Sequence, residues 1–268
     1  MVKLTVVIIT RNEQRNIGRC LKSLHDIASE VIVVDSGSTD GTEAICRQYG
    51  TLFVHHDWSG FSNQKNYAET LATGDWILSL DADEALDETL LDSLTRLLAD
   101  GPHEGEVYSM NRLTNFCGHW IRHCGWYPDT KIRLWQRGTA RWEGDVHEQI
   151  VFSQPIKTVR LKGDLLHYSY YTLDELATRQ IHYAQLAAQE AYAKGRHCGR
   201  TALWLRPLWR FLRDYLLRGG FLDGKAGYTV CRMNARYTFT KYATLRFKVR
   251  GKNEELRSFW RDSLLLSS

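Results

Sequence analysis

Leu4 to Thr10 is an unbroken run of apolar and β-branched residues, and Gln14 to His25 then places Ile17, Leu21 and Leu24 at helical spacing. The pattern predicts a strand followed by a helix. It recurs three times: Val31 to Val34 precedes a Gly/Ser/Thr turn and a helix over Thr42 to Tyr49, Leu52 to His55 precedes a helix over Gln64 to Ala72, and Trp76 to Leu80 precedes a helix over Glu88 to Ala99. Strands that are apolar throughout, each followed by a helix, predict an α/β fold with a mostly parallel central sheet and helices on both faces. In such open sheets ligands bind beyond the carboxyl ends of the strands, so the polar residues just after each strand are the first candidates for chemistry.

Beyond Gly105 the texture changes to shorter segments rich in Trp, Arg and Gly, such as Lys131 to Gln136 and Val146 to Val151, which read as antiparallel strands and loops. From Thr172 the chain turns helical. Thr172 and Glu175 form a capping box, Gly195 is the expected stop, and a second helix is expected to start at Pro207, because proline suits the first helical position. Trp209, Leu212 and Leu216 fall on one stripe of that helix, and Arg206, Arg210 and Arg213 on another. The expected organisation is an α/β domain over residues 1–168 and a helical C-terminal extension over 169–268.

Composition narrows the class. The 268 residues are 43% hydrophobic and 25% charged with four prolines, which describes a globular protein rather than a disordered one. The net charge of +4 is too mild to call for nucleic acid, and no segment resembles a nucleic-acid module. The charges are unevenly spread, acidic from Asp75 to Asp100 and basic from Arg196 to Lys252. Cysteines 20, 46, 117, 124, 198 and 231 contain no C-x-x-C pair, as expected of reduced thiols in the cytosol. The opening apolar run is too short for a signal peptide, and no stretch approaches the ~20 uncharged apolar residues of a spanning helix.

Asp81-Ala-Asp83 follows the fourth strand directly, and carboxylates two residues apart on extended chain point to the same side. At ~4 Å and an effective dielectric of about 20 their repulsion is on the order of 4 kcal/mol, which a bound cation or a protonated partner relieves. Oxygen ligands favour Mg²⁺ or Mn²⁺, ions that take substrate phosphates into their coordination. Taken alone, the pair serves equally well as a cap for the next helix. Asp35 ends the second strand before Ser36-Gly37-Ser38-Thr39-Asp40-Gly41, where a carboxylate accepts a hydrogen bond from an imide N–H or a ribose hydroxyl. A dinucleotide-binding dehydrogenase also carries an acid there, but it needs G-x-G-x-x-G after the first strand. The first turn here, Thr10-Arg11-Asn12-Glu13-Gln14-Arg15-Asn16, has no glycine. Cys117, His119, His123 and Cys124 are of the types that bind zinc, but their spacing fits no common zinc pattern, and Trp120, Trp126 and Tyr127 mark an aromatic-lined loop.

Four ordered segments carry a resemblance: Val7-Ile8-Ile9-Thr10-Arg11-Asn12-Glu13, Val33-Val34-Asp35-Ser36-Gly37-Ser38-Thr39-Asp40-Gly41-Thr42, Gln64-Lys65-Asn66 and Leu80-Asp81-Ala82-Asp83-Glu84. Together they resemble the inverting family-two glycosyltransferases of the GT-A (nucleotide-diphospho-sugar transferase) fold. Trp142 to Glu148 and Gly219 to Gly224 are similar to the bacterial lipopolysaccharide core-biosynthesis subgroup, which adds glucose to inner-core heptose. The resemblance implies that Thr10, Asn12 and Asp35 hold the nucleoside, with Asp35 on uracil. It implies that Glu13 supports that pocket, that Lys65, where many relatives have arginine, lies near the ribose and phosphates, and that Asp81 binds the ribose side. Asp83 is implied as a ligand of Mg²⁺ or Mn²⁺, with His167 as a further ligand and His147 its competitor. Inversion needs a base opposite the leaving diphosphate, for which Glu148 is the candidate and Asp145 and Glu143 the alternatives.

The implied donor is a nucleotide-sugar, UDP-glucose, and the implied acceptor a lipid-linked saccharide. Leu203, Trp204, Leu205, Trp209 and Phe211 amid arginines then suit an interfacial helix, which predicts a peripheral protein on the cytoplasmic face of the inner membrane. Core packing or a dimer contact explains the same residues more plainly. A nucleotidyltransferase shares a related sheet and acidic site but needs a glycine-rich basic loop after the first strand, and a catalytically silent scaffold has no need of Asp35, Asp81, Asp83 and Glu148.

Overall fold

The computed structural model describes residues 2–24, 27–144 and 148–249. The elements are β1 (Leu4–Thr10), α1 (Ile17–Lys22), β2 (Glu30–Asp35), α2 (Thr42–Gln48), β3 (Leu52–His55), α3 (Phe61–Thr70), β4 (Trp76–Asp81), β5 (Glu84–Leu86), α4 (Glu88–Asp100), β6 (Glu106–Phe116), β7 (His119–Ile121), β8 (Asp129–Gln136), β9 (Ala140–Glu143), β10 (Gln149–Phe152), β11 (Lys157–Tyr170), α5 (Leu173–Ala193), α6 (Arg200–Leu212) and α7 (Gly224–Val249). The chain divides into two compact units, Met1–Leu113 with Pro128–Tyr168, and Thr114–Tyr127 with Ser169–Ser268.

In the first unit the sheet runs β3-β2-β1-β4-β8-β6-β11-β5. The pairs β2/β3, β1/β2 and β1/β4 are parallel, and β8 continues the sheet antiparallel to β4. β1 is flanked by β2 on one side and β4 on the other, so strand order reverses there and a crevice opens beyond Thr10 and Asp81. Alternation along the strands sends side chains to both faces. Leu4, Val6, Ile8, Val33, Leu78 and Leu80 pack against Ile17, Cys20 and Leu21 of α1, Cys46 of α2 and Leu90 and Leu94 of α4. Val7, Ile32, Val34 and Ile77 pack against Ala68 of α3 and against Trp135 and Trp142. Helices thus cover both faces, as the apolar strand runs require.

Two helix boundaries differ from expectation. α1 begins at Ile17 rather than Gln14, because residues 13–16 form a turn in which the amides of Asn16 and Ile17 both donate to the Glu13 carbonyl at 2.9 Å. α3 begins at Phe61 rather than Gln64, directly after Gly60, whose φ of 100° only glycine adopts readily. The strand expected from Val146 is described from Gln149 onward, residues 145–147 lying outside the described residues.

In the second unit the capping box forms as expected: Thr172 Oγ1 accepts from the Glu175 amide, and Glu175 accepts from the Thr172 amide. Gly195 follows the end of α5 with φ 66°. The expected start at Pro207 is wrong. α6 runs from Arg200 and encloses the proline, giving up one main-chain hydrogen bond, and then passes into a π-helical turn over Arg213–Leu217. Two arginines of the expected stripe are drawn partly inward. Arg210 and Arg213 turn onto Asp214, which is fully buried and also meets Asn234 at 3.3 Å and Arg218 at 3.5 Å, while Arg206 stacks over Tyr242. A carboxylate taken out of water binds whatever cations are within reach, and here these are the helix's own arginines.

The Gly219 to Gly224 segment is a close-approach device. A Cβ on Gly227 would lie 1.9 Å from the Gly220 carbonyl, and one on Gly220 would lie 2.7 Å from Cys231 Sγ, so the turn after α6 packs against α7 only with glycine at both places. All six cysteines are free thiols. Among the described residues no helix is long and apolar enough to cross a membrane.

Candidate active site

The wall of the crevice at β1 and β2 is two loops zipped together. Asn12, in the left-handed region at φ 56°, donates its amide to Ser38 Oγ and accepts the Thr39 amide on its side-chain oxygen, both at 2.8 Å. The Glu13 amide donates to Thr42 Oγ1 at 2.8 Å, and the Glu13 carboxylate accepts from Asn16 Nδ2 at 2.8 Å. Buried Asp35 accepts the amides of Gly37 and Ser38 at 2.9 and 2.8 Å and the Ser38 hydroxyl, which fixes the turn after β2. Among the described residues the buried Thr10 hydroxyl at the end of β1 has no hydrogen-bond partner.

Three consecutive residues of α3 serve three different places. Gln64 donates to Ser36 Oγ at 2.9 Å and to the His56 carbonyl at 3.0 Å, tying the helix to the ends of β2 and β3. Lys65, buried, lies 3.2 Å from Asp81 Oδ1, 3.3 Å from Glu148 Oε1 and 4.4 Å above the Trp142 ring. Asn66 clasps β9, donating to the Trp142 carbonyl and accepting the Trp142 amide, both at 2.9 Å. Ser62 adds a bond to the Gly144 carbonyl at 2.5 Å. One turn later Glu69 Oε1 and the indole nitrogens of Trp135 and Trp142 lie buried near one another, none within hydrogen-bond distance of a partner among the described residues. Burial pushes the Glu69 carboxyl up to about 7, and the nearby indole N–H groups offset this only in part.

The acidic cluster at the end of β4 is neutralised from within. Arg133 of β8, buried, donates to Asp81 at 2.8 Å and to Glu84 at 2.5 Å, while Arg112 reaches Glu84 at 3.5 Å and Asp129 at 2.7 Å. Burial alone raises the Asp81 carboxyl, but Arg133 and Lys65 outweigh it and hold it well below the usual carboxylate range. Asp83 lies apart from these cations. β11 pairs with β5 so that His167 stands opposite Glu84, and this brings His167 Nε2 to 3.2 Å from Asp83 Oδ2.

A carboxylate oxygen and an imidazole nitrogen at that separation are a donor pair suited to Mg²⁺ or Mn²⁺. Among the described residues no group of three or more His, Cys, Asp or Glu stands ready as a closed metal cage. An ion held by Asp83 and His167 would complete its coordination with water and substrate oxygens, the ordinary habit of Mg²⁺.

The model of glycosyl transferase family 2 matches residues 5–153, from β1 through β10. The chain belongs to this family. It is 31% identical over 254 residues to the lipopolysaccharide core biosynthesis glycosyltransferase LpsC of Rhizobium meliloti, covering 90% of this chain and 91% of LpsC. A glycosyltransferase of Rickettsia felis is 30% identical over 268 residues, covering 96% of this chain and 95% of that one. Among solved structures, the mannosyltransferase PcManGT of Pyrobaculum calidifontis, in complex with GDP-Man and Mn²⁺, superposes with a TM-score of 0.54 at 15% identity over 91% of this chain and 87% of that one. That likeness shows the fold, a GT-A glycosyltransferase arrangement.

The glycosyltransferase frame brings the residues singled out from sequence into three groups. Thr10, Asn12, Glu13 and Asp35 line the zipped loops, Lys65 joins Asp81 to Glu148, and Asp83 meets His167. Glu143 is exposed on β9, while Asp145 and His147 lie outside the described residues. Arg133 was missed. Its signal was a cation flanked by apolar Ile132 and Leu134 in the alternating strand Lys131 to Gln136, in a chain whose Asp81, Asp83 and Glu84 need counter-charge. In the second unit His123 is held by Asp223, which accepts from its ring Nδ1 and its amide, both at 2.8 Å, and Trp126 packs on Phe116 and Tyr170.

Proposed function

We propose that this glycosyltransferase moves glucose from UDP-glucose, with inversion, onto a heptose of a lipid-linked lipopolysaccharide inner core. The sequence likeness to LpsC supports the acceptor class, and the observation that carries the mechanism is the Lys65 bridge between Asp81 and Glu148. In this reading Thr10, Asn12 and Asp35 hold the nucleoside, Glu13 supports their loop, and Asp81 faces the ribose. Asp83 and His167 hold the divalent ion, which when bound neutralises charge on the diphosphate.

Glu148 is the base. It takes the proton of the acceptor hydroxyl while the acceptor oxygen bonds to the anomeric carbon and the bond from that carbon to the diphosphate breaks, releasing UDP. Among the described residues its buried Oε2 has no hydrogen-bond partner, a position suited to receiving that hydrogen bond. Lys65 holds Glu148 as a paired carboxylate. An arriving diphosphate competes for the same ammonium, so the base is freed when the donor is in place. The enzyme works from the cytoplasmic face of the inner membrane.

The test is to incubate the protein with Mg²⁺ and a panel of UDP-sugars, with and without a lipid A inner-core acceptor, and to weigh the products. A hexose added from UDP-glucose, lost in the Asp83→Ala variant and in excess chelator, is the expected result. Full activity of that variant removes the metal assignment, and no product from any UDP-sugar removes the reading.

A further inference from the structure

α6 leaves a full apolar stripe outside. Its sequence puts apolar residues along one stripe and arginines along the other, and a helix lying on a protein core buries the apolar stripe. Here the inward side carries half-buried Leu203 and Phe211, packed on the core, and just past the helix end the ion cluster around Asp214, which is 0% exposed, while Trp204 is 68% and Leu217 71% exposed. Leu208, Trp209, Leu212 and Leu216 continue the outward stripe, and Phe221 and Leu222 extend it past the π-helical turn. No residue of α6 is buried. A contiguous exposed apolar surface of this kind marks a site that something else covers.

The charges around the stripe select what covers it. From Arg200 to Asp223 the only carboxylates are Asp214, enclosed by arginines, and Asp223, occupied by the amides of Arg122 and His123. Exposed Arg200, Arg206 and Lys225 flank the stripe with no exposed acid among them. A second copy docked on the same patch by two-fold symmetry sets arginine against arginine. An anionic lipid surface accepts both halves of the pattern, apolar side chains into the acyl boundary and arginines at the headgroups, with Trp204 and Trp209 amphipathic enough for the border.

We infer that the outward stripe of α6 and the turn after it inserts into an anionic bilayer, with leucine and tryptophan burial as the main attraction and the flanking basic residues as the lesser one. Arg210 and Arg213 take no part, since Asp214 holds them. The inference rests on the lipid-linked acceptor proposed above and names the surface that meets that acceptor's membrane.

The full chain is tested by co-sedimentation with vesicles of phosphatidylethanolamine and phosphatidylglycerol. Wild type is expected to bind, to be only partly released by high salt, and to lose about 100-fold or more in partitioning when Leu208, Leu212 and Leu216 are all changed to serine. Arg206→Glu with Lys225→Glu is expected to cost about 10-fold, and only on anionic vesicles. The serine variant is expected to keep wild-type transfer to a delipidated, water-soluble acceptor. Failure of transfer by both proteins indicts the proposed reaction and leaves the binding result to stand. Wild type that stays in the supernatant overturns the inference. So does a dimer, or a vesicle-free monomer, in which hydrogen exchange shows the α6 stripe already protected, since a second copy or residues 250–268 is then the cover.

Discussion

The crevice of the first unit and α6 of the second both break the rule that charges lie outside and apolar residues inside, and they do so in opposite ways. In the crevice Lys65 and Arg133 are drawn into the protein, where each is shared between two carboxylates. At the end of α6 a carboxylate is drawn in, arginines close over it, and Trp204, Leu205, Leu208 and Trp209 are left in water. A shared buried cation is a charge that an arriving anion can claim. A cation spent on one buried carboxylate is structural, and in α6 the functional signal passes to the apolar residues displaced outward.

Removing the acceptor of a shared cation should damage rate more than folding. Glu148→Gln is nearly isosteric, so UDP-sugar and metal affinity are expected to stay near wild type while turnover falls ~10²–10⁴-fold. Calorimetry with UDP-glucose alongside turnover measurements checks the split. A defect confined to donor affinity moves Glu148 into the donor pocket.

The reverse holds for Asp214. Asp214→Ala leaves the arginines of α6 without their common partner and is expected to cost ~3 kcal/mol of stability, the low end for a broken buried pair because the arginines are partly exposed. Urea unfolding reads it. A stability unchanged within error makes the cluster incidental and α6 no more than a surface helix.

Glu69 sharpens the comparison as a buried acid with no cation. Its folded pKa of about 7 lies above the ordinary 4.5, so the folded state keeps a proton that the unfolded chain gives up. Stability from this group is therefore fully present below about 4.5 and is lost as pH rises toward and past 7, by on the order of 1–3 kcal/mol. Glu69→Gln should flatten that loss, leaving the variant the more stable protein at alkaline pH and about equal to wild type in acid. Parallel urea melts across this range decide it.

The strands and the loop acids were open to reading because the information is local. An apolar run of β-branched residues between turn signals is a strand wherever it lies, and the acids just after β2 and β4 sit where open sheets bind ligands. α6 was misread for an equally local reason. Proline favours a first turn, but the helix had already started at Arg200, and Asp214 then claimed two arginines of the expected stripe. No periodicity announces which arginines a buried carboxylate will take. The same holds for Arg133, which meets Asp81 across β8 and β4, 52 positions apart in the chain.

The clasp made by Asn66 also guards an edge. Because the Trp142 amide and carbonyl both point to Asn66, they point away from β10, whose Ile150 stands opposite Trp142. The amide side chain therefore stands where the peptide of a third strand would lie, offering one donor and one acceptor. A two-stranded sheet with an open edge invites pairing with other chains. A single asparagine closes this one at Trp142, and aspartate, which has no N–H to give, leaves the carbonyl there open.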